Sequence, residues 1–251
     1  MSEQTIIHGD CLDKMSEIET GLVDLVITSP PYNVGLDYDE YNDAKTIDEY
    51  RSFLRSVFVE LDRVVNSEGR VCINIALKND SGIVDLPFLI KNLADGVGWE
   101  QRFEIIWNKG QSEGSSAWGS WRSPSSPRPI FNHEYILIFD VGSKKSRSEK
   151  VIDKEDFMDI VKSVWSIKPD SNSEHPAPFP KEISERLILL NSYEGDVVLD
   201  PFLGSGTTLV SCKKMDREGI GIELSENYAD MAQERVDDFT PPDERKFEFM
   251  T

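Results

Sequence analysis

Two short stretches hold residue types that can do chemistry, and each directly follows an apolar run. The first is Thr28-Ser-Pro-Pro-Tyr-Asn33, placed after Val23–Ile27. Pro30 and Pro31 fix the backbone and remove two amide donors, so the carbonyls of Ser29 and Pro30 are left to face a ligand. Ser29 adds a hydroxyl, and the Tyr32 ring offers a surface on which a flat heterocycle stacks. Acceptors beside an aromatic platform suit an amino group carried on a ring. Asn33 helps to shape such a pocket, with no proton-transfer role assigned. A plain turn ending a strand is the other reading of the same residues.

The second stretch is Asp200-Pro-Phe-Leu-Gly-Ser-Gly206, followed by Thr207 and Thr208. Gly204 and Gly206 let the chain turn sharply and approach a ligand closely. A helix starting at Thr207 then offers free amide donors to a small anion. The next strand ends in Glu223, where a βαβ unit grips ribose hydroxyls. A third glycine is missing, and so is the lysine of a phosphate-binding loop. That disfavours a pyrophosphate or a dehydrogenase cofactor and suits a nucleoside with a small anionic tail, such as S-adenosylmethionine. A tight strand-to-helix connection with no ligand is the alternative. Asp200 argues against it, because a carboxylate at a strand end is costly unless it meets donors or a cationic ligand.

These loops need rigid elements beneath them. Val23–Thr28 reads as a buried strand stopped by proline. Thr46-Ile-Asp-Glu49 is a capping box, and Tyr50, Phe53, Leu54, Val57, Leu61 and Val64 follow at helical spacing. Arg70–Ala76 predicts a second buried strand, residues 83–95 a helix despite Pro87, and Gln101–Trp107 a third strand. Residues 108–132 are rich in Gly, Ser and Pro without periodicity, as in functional or disordered loops. Glu134–Phe139 resumes strand character, and residues 142–155 read as a mobile, polar surface segment. Lys181–Asn191, Gly206–Met215 and Ser225–Val236 predict helices, the last with Ser225 as N-cap. Asp196–Asp200 and Gly219–Glu223 predict strands between them, and the tail after Thr240 reads as frayed. Alternating strands and helices predict an α/β fold: a mostly parallel sheet with helices on both faces.

TSPPYN at 28–33 and DPFLGSGTT at 200–208 resemble the catalytic and cofactor motifs of the amino-methyltransferases that act on DNA. The catalytic motif comes first, which is similar to the circularly permuted beta class of that family. HGD at 8–10, RVCINIA at 70–76, HEYILIF at 133–139 and HPAPFP at 175–180 match further elements in order, so the resemblance spans residues 5–238. It implies a Rossmann-like S-adenosylmethionine-dependent methyltransferase fold in one domain, 1–251. Within it fall a catalytic half at 1–107, a short target-recognition insertion at 108–170 and a cofactor-binding half at 171–240. The resemblance makes Ser29, Pro30, Pro31 and Tyr32 catalytic. It gives the cofactor Thr28, Ser29, Asp200, Pro201, Phe202, Gly204, Ser205, Gly206, Thr207, Thr208 and Glu223. Asp10 is then expected near the adenine and Pro180 near the methionine moiety. Trp121, Arg122 and Arg128 in SWRSPSSPRP are expected to contact duplex DNA, by phosphate or by guanine. So short a region implies a short recognition site or help from a second subunit in a homodimer. A cognate restriction endonuclease acting separately is compatible with it.

The chemistry implied is a direct in-line methyl transfer to an exocyclic amine of a base flipped out of the duplex. Methylation at carbon 5 of cytosine is disfavoured, because none of Cys11, Cys72 and Cys212 follows a proline. Ser29, where adenine-N6 enzymes more often carry Asp, resembles the cytosine-N4 enzymes; adenine N6 is the alternative. An enzyme acting on RNA or a small amine stays open. The intact Ser29, Pro30, Tyr32, Asp200, Gly204 and Gly206 argue against a non-catalytic DNA-binding module.

Composition sets the outer bounds. With 251 residues, 39% hydrophobic and 29% charged, the chain can bury the core of one α/β domain. It has no apolar run long enough to span a membrane, and MSEQTIIHGD is no secretory signal. The three cysteines lie far apart without metal-ligand spacing, as expected of buried thiols in a reducing cytoplasm. A net charge of −19 argues against a nucleic-acid partner. Residues 102–150 run the other way, with 8 basic against 5 acidic side chains, and they hold Trp107, Trp118 and Trp121. A local basic and aromatic stretch on an acidic body suits a focused nucleic-acid contact; a solvated loop with no partner is the other reading of the same charges.

Overall fold

A computed structural model describes residues 2–33, 45–77, 85–110, 119–120, 122–127, 131–143, 145–150, 152–169 and 179–240. The chain opens with strand β1 (Gln4–His8) and a short helix, α1 (Cys11–Met15). Then come β2 (Val23–Thr28), α2 (Ile47–Val64), β3 (Val65–Ile75), α3 (Leu86–Gly96) and β4 (Glu100–Asn108). The middle holds β5 (His133–Asp140), α4 (Lys154–Ile160) and β6 (Val164–Ser166). The last stretch alternates α5 (Lys181–Asn191), β7 (Val197–Asp200), α6 (Thr207–Lys214), β8 (Glu218–Glu223) and α7 (Glu226–Asp238).

Local chemistry explains several boundaries. The capping box forms: the Thr46 hydroxyl accepts from the Glu49 amide, and the Glu49 carboxylate accepts from the Thr46 amide. Pro87 sits in the first turn of α3, where a missing N–H costs nothing, so it opens the helix instead of breaking it. Ser225 caps α7 by accepting from the Tyr228 amide.

The strands line up as β1-β8-β7-β2-β3-β5-β4-β6, with β5 antiparallel to both its neighbours and every other pair parallel. Runs apolar on both sides make strands buried on both faces. Val26, Val71 and Ile73 pack with α1, α2 and α3, whereas Leu25, Ile27 and Cys72 pack with α4, α5 and α6. The expected mostly parallel, two-faced sheet is the observed one. From β2 the chain moves through α2 to β3, and from β7 it moves the opposite way through α6 to β8. Neighbours β2 and β7 therefore flank a topological switch point, where open α/β sheets place their ligands.

One segment differs from expectation. Residues 145–150 are tied to the body, with Arg147 4.3 Å over the Tyr193 ring and Nη1 3.3 Å from Asp196 Oδ1. Ser146 donates its amide to Glu68 at 2.9 Å. The buried carboxylate of Asp196, the half-exposed Glu68 and an aromatic face hold this polar stretch, which composition alone does not reveal. The tail beyond Thr240 and half of 109–132 lie outside the described residues.

Candidate active site

At the tip of β2, Ser29, Pro30, Pro31 and Tyr32 line an open cleft of about 150 Å³. Buried Tyr50 on α2 donates its hydroxyl to the Pro31 carbonyl at 2.8 Å, which holds the Pro-Pro backbone down. Among the described residues, nothing donates to the Ser29 or Pro30 carbonyl. Asn33 adopts φ 57°, and its amide group both donates to and accepts from the Lys45 backbone, at 2.8 and 2.7 Å. It thus ties the end of this loop to the start of α2. Tyr32 is more than a flat surface. Its hydroxyl lies 2.8 Å from Ser29 Oγ and 3.1 Å from Glu134 Oε2, and it accepts from Asn74 Nδ2 at 2.8 Å.

At the tip of β7, Asp200 is buried, yet it accepts three hydrogen bonds. These come from the Thr28 hydroxyl at 2.8 Å, the Thr208 hydroxyl at 2.7 Å and the Phe202 amide at 3.1 Å. Burial pushes its carboxyl up to about 6; those donors oppose the shift, and the charge of Glu223 adds to it. The Thr28–Asp200 bond joins the ends of two neighbouring strands that are 172 positions apart in the chain. Thr28 therefore supports the site from beneath, outside the cleft lining. Gly204 and Gly206 take positive φ values of 55° and 84°. A Cβ on Gly206 would stand 2.9 Å from Ala232 Cα, so this glycine lets α6 close onto α7 and does not itself line the cleft.

Glu223, at the tip of β8, accepts the Gly204 amide at 2.7 Å and the Ser225 amide at 3.0 Å. Burial raises its carboxyl. It lines the cleft and braces the glycine turn as well. Asp10 lines the cleft and caps α1 through the Leu12 amide at 2.8 Å. Pro201, Phe202, Ser205, Thr207 and Thr208 complete the expected lining. Pro180 is buried as the N-cap of α5 and is not itself among the lining residues, whereas its neighbour Phe179 lines the cleft. Phe53 and Tyr228 also line it, and Phe53 meets Phe202 edge-on at 6.1 Å. Phe53 carries a signal in the sequence, as an apolar position of α2; only the sheet order shows which way that turn points.

The remaining expectations concern DNA. Trp121, Arg128 and Trp118 lie outside the described residues, and Arg122 is exposed at φ 54°. Trp107 is a core residue that donates Nε1 to the Ile167 carbonyl at 2.8 Å, so it is no surface aromatic. Several cations of the basic window are paired: Arg102 with Asp140, Lys109 with Glu134, and Lys145 and Arg147 with Asp196. All three cysteines are buried, and burial pushes the Cys11 and Cys72 thiols up to about 12 and Cys212 upward as well. None is a thiolate at neutral pH, even though Cys11 borders the cleft.

A glycine turn at one strand tip and a proline-braced acceptor loop at the next, sharing one cleft at a switch point, define the Rossmann-like methyltransferase class. Comparison with known proteins narrows this. The chain belongs to the N6/N4 methyltransferase family described as DNA methylase, whose model matches residues 23–234. The type II methyltransferase M.HpaI of Haemophilus parainfluenzae is 30% identical over 94% of this chain and 74% of its own. The DNA adenine methyltransferase YhdJ of Escherichia coli (strain K12) is 29% identical over 93% and 83%. Among solved structures, the putative DNA modification methylase TTHA0409 of Thermus thermophilus, complexed with S-adenosyl-L-methionine, aligns with a TM-score of 0.71 and 28% identity. That alignment covers 96% of this chain and 98% of the other.

Proposed function

We propose that this chain transfers a methyl group from S-adenosylmethionine to the exocyclic N4 amino group of cytosine in duplex DNA. The observation that carries the reading is the shared cleft: Ser29 and Pro30 on one side and Gly204 and Ser205 on the other border one space, joined beneath by the Thr28–Asp200 bond. The cleft suits the cofactor. Phe202 and Phe53 offer apolar walls for a purine, the first amides of α6 have no intrahelical acceptor, and Asp200 supplies a carboxylate that gains from a nearby cation. S-adenosylmethionine supplies a methyl group already activated on a sulfonium. The protein's share of the work is therefore position and polarity.

An amino group conjugated to a base ring is a weak nucleophile, because its lone pair is delocalised into the ring. Ser29 Oγ and the Pro30 carbonyl accept hydrogen bonds from its two N–H groups, which favours a pyramidal nitrogen with its lone pair turned to the donor. Tyr32, anchored at its hydroxyl, holds its ring beside the extruded base. Ser29 in place of Asp favours cytosine. Adenine N6 is the second reading, favoured by the likeness to YhdJ. Incubation with methyl-labelled cofactor and unmethylated duplex DNA, then digestion to nucleosides and mass analysis, tests the choice. N4-methylcytosine is expected. N6-methyladenine alone overturns the base assignment, and label accepted only by RNA overturns the substrate class.

A further inference from the structure

Beneath Tyr32 lies a polar cluster for which the methyl-transfer chemistry has no use yet. Its members come from three adjoining strands: Asn74 in β3, Glu134 in β5, and Lys109 directly after β4. Asn74 and Glu134 are buried, at 2% and 8% exposure, and Lys109 pairs with Glu134 Oε1. Asn74 Nδ2 donates to Glu134 Oε2 at 2.6 Å and to Tyr32 Oη at 2.8 Å. Its own Oδ1 is buried without a hydrogen-bond partner among the described residues. Turning the amide over would set that oxygen against a carboxylate, so Glu134 dictates which way Asn74 faces.

The direction of every proton in the chain then follows. A carboxylate only accepts, so the 3.1 Å contact to Glu134 commits the Tyr32 proton to that side. Tyr32 Oη also accepts from Asn74, and its own proton has Glu134 Oε2 at 3.1 Å and the Asn74 carbonyl at 3.5 Å as acceptors. Ser29 Oγ, 2.8 Å away, must therefore spend its own proton on Tyr32. What Ser29 shows the cleft is lone pairs.

We propose that Glu134, its charge held in place by Lys109, is a positioning residue that fixes the Ser29 hydroxyl as a hydrogen-bond acceptor. The site thereby selects a base that presents an amino group over one that presents a keto oxygen at the same place. This rests on the reading of the chain as an amino-methyltransferase. It adds residues far apart in sequence that never touch the substrate, and it explains why the acceptor loop ends in a tyrosine with a hydroxyl.

The test is a double-mutant cycle on DNA methylation. Glu134→Gln keeps the volume but puts an amide beside Tyr32, so that donation along the chain can reverse. The expected loss in kcat is about 10- to 100-fold, the worth of one hydrogen bond to a charged group, with cofactor affinity by calorimetry unchanged. Tyr32→Phe cuts the chain, so adding Glu134→Gln to it changes kcat no further. Lys109→Met, a second route should Glu134→Gln fold poorly, gives a smaller loss that Tyr32→Phe also abolishes. A Glu134→Gln enzyme as fast as wild type overturns the proposal. So does an equal loss in both backgrounds, which marks a structural role for the cluster. Wild-type protein that methylates no DNA instead overturns the underlying reading.

Discussion

Asp200 is a carboxyl group that burial makes reluctant to ionise, placed where a cationic ligand would reverse that reluctance. Its pKa of about 6 in the folded chain lies above the ordinary 3.8, so folding takes up a proton between those values. Stability from this group is present below pH 3.8 and is lost as pH rises through about 6; above that the ionised form carries the whole burial penalty. A cofactor that needs the carboxylate should bind with constant affinity above about pH 7. Below about pH 6 affinity should fall by up to about tenfold per unit. Calorimetric titration across this range checks it, and Asp200→Asn should bind weakly with a flat profile. Around this residue the division of labour should also show in mutants. Ser29→Ala and Tyr32→Ala are expected to lower turnover far more than cofactor affinity, whereas Gly204→Val, which forces a branched residue to φ 55°, should abolish cofactor binding. Equal loss of cofactor affinity in all three would contradict those roles. The individual residues of both motifs were legible because each motif is contiguous and its turn chemistry is local. Glu134, Asn74 and Lys109 were not: their meeting depends on β5 running antiparallel between β3 and β4, which no local pattern encodes.

Elements position these groups through a few joints. The Thr28 hydroxyl joins β2 to β7, and Thr28→Val removes it with little change of shape. The expected cost is about 1–3 kcal/mol of stability, as for a buried acceptor that loses a donor, together with weaker cofactor binding because Asp200 becomes harder to ionise. Denaturant melts and calorimetry on one sample read both effects. Gly206 is the joint between α6 and α7. Gly206→Ala meets both a positive φ and the Ala232 backbone, so it should cost roughly 2–4 kcal/mol. The long helices and the buried strands announced themselves by period and caps. In the middle of the chain, α4 and β6 have seven and three residues, and such lengths carry no readable period. Residues 145–150 read as loose for a related reason: the partners that pin them, Glu68, Tyr193 and Asp196, lie far off in sequence.

Across the whole molecule, charge is the unusual feature. A chain of net charge −19 must concentrate its attraction for DNA in a small area, because the rest of its surface repels phosphate. Pairing of Arg102, Lys109, Lys145 and Arg147 with carboxylates leaves Arg122 and Lys150 as the exposed cations of this window with no ion-pair partner among the described residues. Arg122→Ala should therefore weaken DNA binding without touching cofactor affinity. If it meets a phosphate, it should also reduce the slope of log affinity against log salt by about one. Binding isotherms at several salt concentrations measure both. At this scale the sequence conveyed the alternation of strands and helices, and hence a two-faced sheet. The strand order that sets Ser29 and Gly204 side by side is a property of the folded chain alone. A crystal structure with S-adenosylmethionine bound tests the central claim most directly. The cofactor is expected against Gly204 and Ser205 with its methyl group turned to the Ser29 hydroxyl. A cofactor seated outside this cleft, or with its methyl directed away from Ser29, would contradict it.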